Sequence, residues 1–251
     1  MSIRAIHRTA AIGLGIAGAL ALASPALADT KKETPGAPCT PGGGQGTGNP
    51  CQGNNGNPSP EGNVGQEKVV IDKKPPLFTV VRGIGSGAFV EQVGDANRAT
   101  ITQTRSTQYA RIAQTGDRNT ASAAQGGSGA HYASIAQEGD ANVAALTQSG
   151  AGAQVAYLTQ NGSANSMSVN QHGGLTSSGV AAMQLGDRNA MSLTQNGDNN
   201  MARLTQDGSD NAMTAVQNGN NQLTWTQTGS GLSDLHIVQP AGQALLVTQS
   251  R

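Results

Sequence analysis

The sequence predicts an all-β protein, a two-sheet β-solenoid of about seven rungs, and three observations lead to this fold class. Glutamine recurs every 10 to 13 residues from Gln92 to Gln249. Ahead of each glutamine, apolar residues alternate with polar ones, and this period of two is typical of a β-strand with one buried face. Mostly four residues, with glycine second, separate successive strands, as expected of a tight turn. Repetition at a fixed period indicates units that are completed by their neighbours.

The first 28 residues are predicted to be a secretory signal peptide. A basic start precedes an apolar run over residues 10–23, and Ala26 and Ala28 place small residues where a signal peptidase reads them. We therefore expect cleavage before Asp29 and a secreted, extracellular protein. A transmembrane anchor is the alternative, which the shortness of the apolar run disfavours.

Residues 29–66 form a linker rich in glycine, proline and asparagine. The segment has almost nothing to bury, so we expect it to be disordered. Cys39 and Cys51, the two cysteines of the chain, lie in it, and a disulfide between them is the preferred interpretation for an exported protein. A free pair is the alternative, whereas a metal site would need further ligands nearby.

Residues 67–85 contain two β-prone runs, Val69–Ile71 and Leu77–Val81, separated by a segment with two lysines and two prolines. We expect an irregular lead-in here, in which one or two strands cover the first repeat. The sequence does not decide between one strand and two.

Residues 86–251 are the predicted repeat domain. Each copy is a seven-residue strand of about 23 Å, with a polar residue at position one, apolar residues at positions three and five, and glutamine at position seven. Position one alternates between asparagine and a mixture of polar residues, so the true repeat is about 22 residues, or two strands and two turns. We call this unit a rung. Two facing parallel sheets should enclose a thin interior of Ala, Ile, Leu and Met.

The amides at positions one and seven share a face with the apolar residues, and this decides how the strands stack. In a flat meander the amides would face the core without partners, at a cost of a few kcal/mol each. In a solenoid each amide lies about 4.8 Å above its counterpart and hydrogen-bonds to it. The amides predicted to form these ladders are Gln92, Asn97, Gln103, Gln114, Asn119, Gln125, Gln137, Asn142, Gln148, Gln160, Asn165, Gln171, Gln184, Asn189, Gln195, Gln206, Asn211 and Gln217. The glycines predicted to make the turns are Gly94, Gly116, Gly139, Gly162, Gly186, Gly197, Gly208 and Gly219.

Composition and spacing argue against several function classes. Acidic and basic residues balance, so the chain lacks the basic surface of nucleic-acid binding proteins. His131, His172 and His236 fall at a ladder position, a turn and an outward strand position, and no nucleophile, base and orienting group converge. We therefore predict no enzyme, no catalytic, cofactor-binding or metal-binding residue, and no small-molecule substrate. The period disfavours a calcium-binding solenoid of nine-residue units, and the scarcity of aligned Thr-x-Thr disfavours an ice-binding face.

Both ends of the stack are expected to be open. The last regular copy ends two residues before Arg251, and no helix or long loop follows to cap it. An open end presents unpaired backbone N–H and C=O groups, and monomeric solenoids usually cap theirs. We therefore expect identical chains to stack end to end into a cross-β fibre, which makes the chain its own first partner.

Three successive copies share a fixed motif. The first is Ser86-x5-Gln92-x-Gly94-x-x-Asn97-x-Ala99-x3-Gln103. Two more match from their first glutamine onward, as Gln114-x-Gly116-x-x-Asn119-x-Ala121-x3-Gln125 and Gln137-x-Gly139-x-x-Asn142-x-Ala144-x3-Gln148. This pattern resembles the curlin repeat of bacterial curli fibres, and the resemblance covers residues 86–249. Later copies depart from it with Met167 and Leu223 in place of alanine, and Arg105 replaces the glycine of an early turn.

The resemblance implies an extracellular functional amyloid, exported unfolded through a dedicated outer-membrane secretion pore and assembled at the cell surface as a biofilm fibre and adhesin. The implied partners are further copies of the chain, a second curlin subunit and curli-type secretion machinery. The stretch around Gln52–Asn63 would be the secretion-recognition segment. Three roles stay open: the main fibre subunit, the minor surface-attached nucleator, and a monomeric solenoid adhesin.

Overall fold

The computed structural model describes residues 68–73, 82–83 and 85–251. Within those ranges it contains sixteen β-strands and no helix, hence no helix long and apolar enough to cross a membrane. The all-β class predicted from the sequence is confirmed. The predictions for the signal peptide, the linker, the Cys39–Cys51 pair and a strand over residues 77–81 lie outside the described residues.

Strands of five to eight residues make up most of the repeat domain. In chain order they are β1 (Lys68–Asp72), β2 (Gly87–Val93), β3 (Arg98–Gln103), β4 (Tyr109–Thr115), β5 (Thr120–Gln125), β6 (Tyr132–Glu138), β7 (Val143–Gly150), β8 (Gln154–Asn161), β9 (Ser166–Gly173), β10 (Ser178–Leu185), β11 (Ala190–Asn196), β12 (Met201–Asp207), β13 (Ala212–Asn218), β14 (Gln222–Thr228), β15 (Leu235–Gln239) and β16 (Ala244–Ser250).

From β2 onward, successive strands go alternately to two sheets. The nine-stranded sheet has the order β1-β16-β14-β12-β10-β8-β6-β4-β2, and the seven-stranded sheet has the order β15-β13-β11-β9-β7-β5-β3. Between β2 and β16 the pairing is parallel and in register with the repeat, so that Gln92 pairs with Gln114 and Gln114 with Gln137. This is the predicted two-sheet β-solenoid of about seven rungs, and it is confirmed.

The interior is a narrow stack of small and large apolar side chains. In the nine-stranded sheet, position three begins with alanines such as Ala110 and position five with larger residues such as Ile112, and both of these are fully buried. A small residue beside a large one lets the two sheets approach closely and fill the space between them. Toward the C-terminal end the alanine gives way to Leu223, and Trp225 fills position five with its indole N–H donating to Oε1 of Gln249 at 2.8 Å.

Most turns contain two residues with positive φ, and only the first is a glycine. All eight turn glycines named above have positive φ, as in Gly116 at 105°. One or two residues later a non-glycine residue also adopts positive φ, as in Arg118 at 57°, which the sequence analysis missed. The left-handed conformation of Arg118 lets its backbone N–H donate to the carbonyl of Asp95 in the preceding rung at 2.8 Å. Hydrogen bonds between rungs therefore offset the local backbone strain.

Strand β1 departs from two expectations. It pairs antiparallel with β16, from Lys68 opposite Ser250 to Asp72 opposite Leu246. It therefore covers the last rung, and the expectation that this segment covers the first repeat is wrong. The expectation that both ends are open is wrong for this edge of the nine-stranded sheet. The reason is that a short β-prone segment pairs with any unpaired edge within its reach, and both ends offer the same backbone groups.

Candidate functional site

Two continuous ladders of glutamine side chains run along the stack, one beneath each sheet. At each step Nε2 of one glutamine donates to Oε1 of the glutamine in the next rung, over 2.6 to 2.9 Å. Along the nine-stranded sheet the ladder joins Gln92, Gln114, Gln137, Gln160, Gln184, Gln206, Gln227 and Gln249. Along the seven-stranded sheet it joins Gln103, Gln125, Gln148, Gln171, Gln195, Gln217 and Gln239. Every step donates toward the C-terminal end, so the stack is polar.

The same side-chain amides also join the two sheets. Gln125 Nε2 donates to the carbonyl of Tyr109 at 2.9 Å, and Gln137 Nε2 donates to the carbonyl of Thr120 at 3.1 Å. A primary amide has two hydrogens, so one serves the ladder and the other serves the facing sheet. Because these side chains are buried, a slip of register would leave them without partners, and the ladders therefore fix the alignment of the rungs.

The asparagines at position one bond differently from the glutamines. Oδ1 of Asn119 accepts the backbone N–H of Asn142 in the next rung at 3.0 Å, and Nδ2 of Asn119 donates to the carbonyl of Gly139 at 2.6 Å. The same pattern recurs at Asn97, Asn142, Asn165, Asn189 and Asn211. The predicted asparagine column is thus brought together, but it works mainly by holding backbone groups of the next turn.

In the strands of the nine-stranded sheet, position one carries a mixture of polar residues. In this column His131 lies between Gln108 and Gln154. His131 is fully buried. Its Nδ1 accepts the backbone N–H of Gln154 at 3.2 Å, and its Nε2 lies 2.6 Å from the carbonyl of Gly126. Because Nδ1 is an acceptor here, Nε2 must carry the proton and donate to Gly126. The neutral imidazole therefore hydrogen-bonds to both backbone groups, the N–H of Gln154 and the carbonyl of Gly126.

Acid is therefore expected to weaken the rung of His131. Burial lowers the pKa of His131, and the positive charge of Arg82 lowers it further, against the opposing hydrogen bond to Gly126. With its folded pKa lowered, the histidine contributes fully above its ordinary value of about 6.5, and that stability is lost as pH falls from there toward the folded pKa. Amide exchange of β6, corrected for intrinsic rates, should show less protection at pH 5 than at pH 8.

The matched control is His131→Gln, because glutamine occupies the same column one rung to either side. This variant should show equal protection of β6 at the two pH values. Equal protection in the wild-type chain as well would contradict the role assigned to the histidine.

The carboxylates of the turn aspartates accept hydrogen bonds from backbone N–H groups. Oδ1 of Asp117 accepts the backbone N–H of Asp95 at 2.7 Å, which ties one turn to the next. Asp198 accepts the N–H groups of Thr176 and Gly174, and these hydrogen bonds lower its pKa. Within the part of the chain that the structure describes, no group of three His, Cys, Asp or Glu residues is placed to hold a metal ion.

An aromatic row on the outer face of the nine-stranded sheet was missed by sequence reasoning. The rings of Tyr109 and Tyr132 stack at 4.7 Å, with Phe89 and Tyr157 tilted against them on either side. Burial, the neighbouring Tyr157 and its hydrogen bond raise the pKa of Tyr132 to about 12. Gly83 packs against the ring of Tyr132, so the lead-in partly covers the row. The detectable signal was two tyrosines at the same position of consecutive rungs.

The two ends of the stack are unlike each other. At the N-terminal end, β2 and β3 each pair on one side only among the described residues. Val90 occupies an interior position but is 52% exposed, whereas Ile112, its counterpart in the next rung, is fully buried. At the C-terminal end β15 is likewise an edge strand, whereas the outer edge of β16 is covered by β1. The exposed first rung is the surface best suited to bind another strand pair.

Comparison with known proteins agrees with this geometry. A family model described as the curlin associated repeat matches residues 186–219. The match begins at a turn glycine and runs through β11, β12 and β13, so it covers three consecutive strands of the solenoid. No curated protein and no solved structure matches the chain.

Proposed function

We propose that this chain, a member of the curlin family by its repeat, is a structural subunit of an extracellular, curli-like amyloid fibre. In that fibre each copy adds to the last as though it were its next rung. The curlin repeat is a structural repeat, which agrees with a role without enzymatic activity. The fibre would lie at the cell surface, where it would support biofilm matrix, adhesion and aggregation.

The observation behind this proposal is the unfinished state of the first rung. Its interior residues are exposed at Val90 and Gln92, although the residues that follow them in the same columns, Ile112 and Gln114, are buried. Exposed apolar side chains beside unpaired backbone groups are what an added strand can cover. Among the described residues the first rung therefore has no strand on its outer side, and a further repeat of the same kind would supply one.

A second copy supplies that neighbour in the existing register. If β2 of one copy follows β16 of another, Gln92 continues the ladder above Gln249. If β3 follows β15, Gln103 continues the ladder above Gln239. Since the ladders donate toward the C-terminal end, the last rung provides N–H donors and the first rung provides oxygen acceptors. The contact is head to tail, which extends without limit because the rotation does not close.

The alternative role is that of a nucleator that anchors the fibre to the outer membrane, or of a monomeric solenoid adhesin. The observation that favours it is the covered edge of β16, because a covered edge limits addition at that end. In either role we propose cleavage of residues 1–28, recognition of the 29–66 segment by curli-type outer-membrane secretion machinery, and a second curlin subunit as partner.

Head-to-tail stacking predicts one cross-link. Glu91 and Thr248 lie at outward positions of β2 and β16, and they would face each other across the junction between two copies. In a background with Cys39→Ser and Cys51→Ser, a mixture of Glu91→Cys chains and Thr248→Cys chains should form a disulfide-linked heterodimer on mild oxidation. Either variant alone should stay unlinked, because the stack keeps like ends apart.

The cross-linking experiment distinguishes a fibre subunit from a monomeric adhesin. A monomeric adhesin would give no heterodimer at any concentration and would stay soluble. Efficient cross-linking within either single variant would contradict the head-to-tail arrangement.

A further inference from the structure

The structure assigns to β1 a second role: we propose that it is a displaceable internal cap on the growing edge of the nine-stranded sheet. In the single chain β1 occupies the outer edge of β16, and it has to leave before a second copy can add there. This inference rests on the proposed fibre function and adds to it a control over assembly within the subunit itself.

The two occupants of β16 exclude each other. A β-strand has two hydrogen-bonding edges, and β16 uses one of them for β14, where Gln249 pairs with Gln227. It uses the other for β1, where Gln249 pairs with Val69. Strand β2 of an incoming copy needs this second edge. Growth and capping therefore compete for one row of backbone groups.

Strand β1 pairs with the backbone of β16 but does not continue the glutamine ladder. Residues directly opposite each other in a sheet share a face, so Val69 stands next to the Gln249 column and Ile71 next to the Val247 column. An incoming copy would place Gln92 at the first of these positions. Valine offers no amide to continue the ladder, so β1 ends it. The direction of β1, antiparallel where the other pairs are parallel, ends the regular stack as well.

The cap is also weakly held. Val69, Val70 and Ile71 are 42%, 43% and 55% exposed, so the strand buries little apolar surface. It covers one sheet only, because β15 has no strand on its outer side among the described residues. An incoming copy would pair with both sheets at once and would bury the exposed Val90. The second copy therefore makes the stronger contact and can replace the cap.

The cap can reach its edge within one chain and stays attached when it leaves. β1 and β2 lie at opposite edges of the sheet, eight strand steps apart, which is about 38 Å. The fourteen residues between Asp72 and Gly87 can extend over about 50 Å. Part of this connection lies along the sheet, where Gly83 packs against the ring of Tyr132 and Arg82 donates to the carbonyl of Thr107, in the turn before β4, at 3.3 Å. Release of β1 is thus a local event.

Two sets of variants test this proposal: one weakens the pairing of β1 with β16, and the other fixes that pairing with a disulfide. In an antiparallel pair alternate residues point their N–H groups at the partner, so Val70→Pro with Ile71→Pro removes at least one such donor whichever set is used. We expect this double variant to elongate preformed wild-type seeds about tenfold faster, because it loses that hydrogen bond and because two prolines also disrupt the rest of the strand. The matched control, Val70→Thr with Ile71→Val, keeps β-branched residues and should elongate at the wild-type rate.

The lock joins Val70→Cys to Thr248→Cys, a facing pair, in the background with Cys39→Ser and Cys51→Ser. Oxidation should slow seeded elongation at least tenfold and reduction should restore it. Amide exchange of Ala244–Ser250 in the soluble chain measures the pairing of β1 with β16 in the absence of fibres. These amides should lose protection in the proline variant. Equal elongation rates in all of these chains would overturn the cap alone. Failure of the wild type and every variant to assemble would overturn the fibre proposal and the cap with it.

Discussion

The substitution Gly139→Ala is expected to destabilise the repeat domain by about 3 kcal/mol or more, through backbone strain and a steric clash together. Gly139 has φ at 103°, outside the region that L-residues adopt easily. An added Cβ would run into the backbone carbonyl of Gly162 in the next rung. Because that atom belongs to the backbone, the clash is relieved only if the two turns separate. Urea unfolding of the freshly refolded chain, followed by circular dichroism, measures the loss.

The matched control for this prediction is Gly219→Ala. Gly219 also has positive φ, at 79°, but the nearest atom to an added Cβ is 3.9 Å away. Strain alone remains there, and we expect a loss of about 1 kcal/mol. Equal losses in the two variants would show that close stacking of the turns is not the constraint on Gly139.

The second large effect is expected from Gln160→Ala. Gln160 Oε1 accepts from Gln137 at 2.8 Å, and its Nε2 donates to Gln184 at 2.8 Å and to the carbonyl of Val143 at 3.0 Å. Truncation leaves these buried groups short of a partner, and each such group costs about 1–3 kcal/mol. We expect a total loss of about 3–4 kcal/mol. Fluorescence of Trp225, the single tryptophan of the chain, can follow the unfolding together with circular dichroism.

Thr159→Ala is the control for the ladder, since Thr159 lies next to Gln160 in β8 but is exposed on the outer face. It should change the free energy of unfolding by less than about 0.5 kcal/mol. A loss below about 1 kcal/mol for Gln160→Ala would mean that water replaces the missing amide and that the ladder contributes little.

The repeat domain could be predicted from the sequence because each local signal is copied many times. A single glutamine after alternating apolar residues means little, but fifteen in register force the amides of Gln114, Gln137 and their counterparts into one column. The partners of the glutamine ladder follow from that geometry. The turn glycines are also visible, since the stacked turns leave no room for a Cβ at Gly116 or Gly139.

Other features depend on contacts that one repeat does not reveal. The left-handed conformation of Arg118 is enforced by a hydrogen bond to the preceding rung, and neither its side chain nor its neighbours mark it. That the asparagines mainly hold backbone groups of the next turn depends on how the turns stack, which the residues of one repeat do not show. The placement of β1 was mispredicted because Val69–Ile71 would pair equally well with either edge, and the connection to β2 is long enough to reach both.

The proposed fibre requires successive chains to continue the same parallel, in-register stack of amides. Fibre diffraction from aligned aggregates of the mature chain tests this most directly. We expect a meridional reflection at about 4.8 Å and an equatorial reflection near 10 Å, with both sheets running perpendicular to the fibre axis. A chain that stays soluble and monomeric at high concentration, or an aggregate without the 4.8 Å meridional reflection, would contradict it.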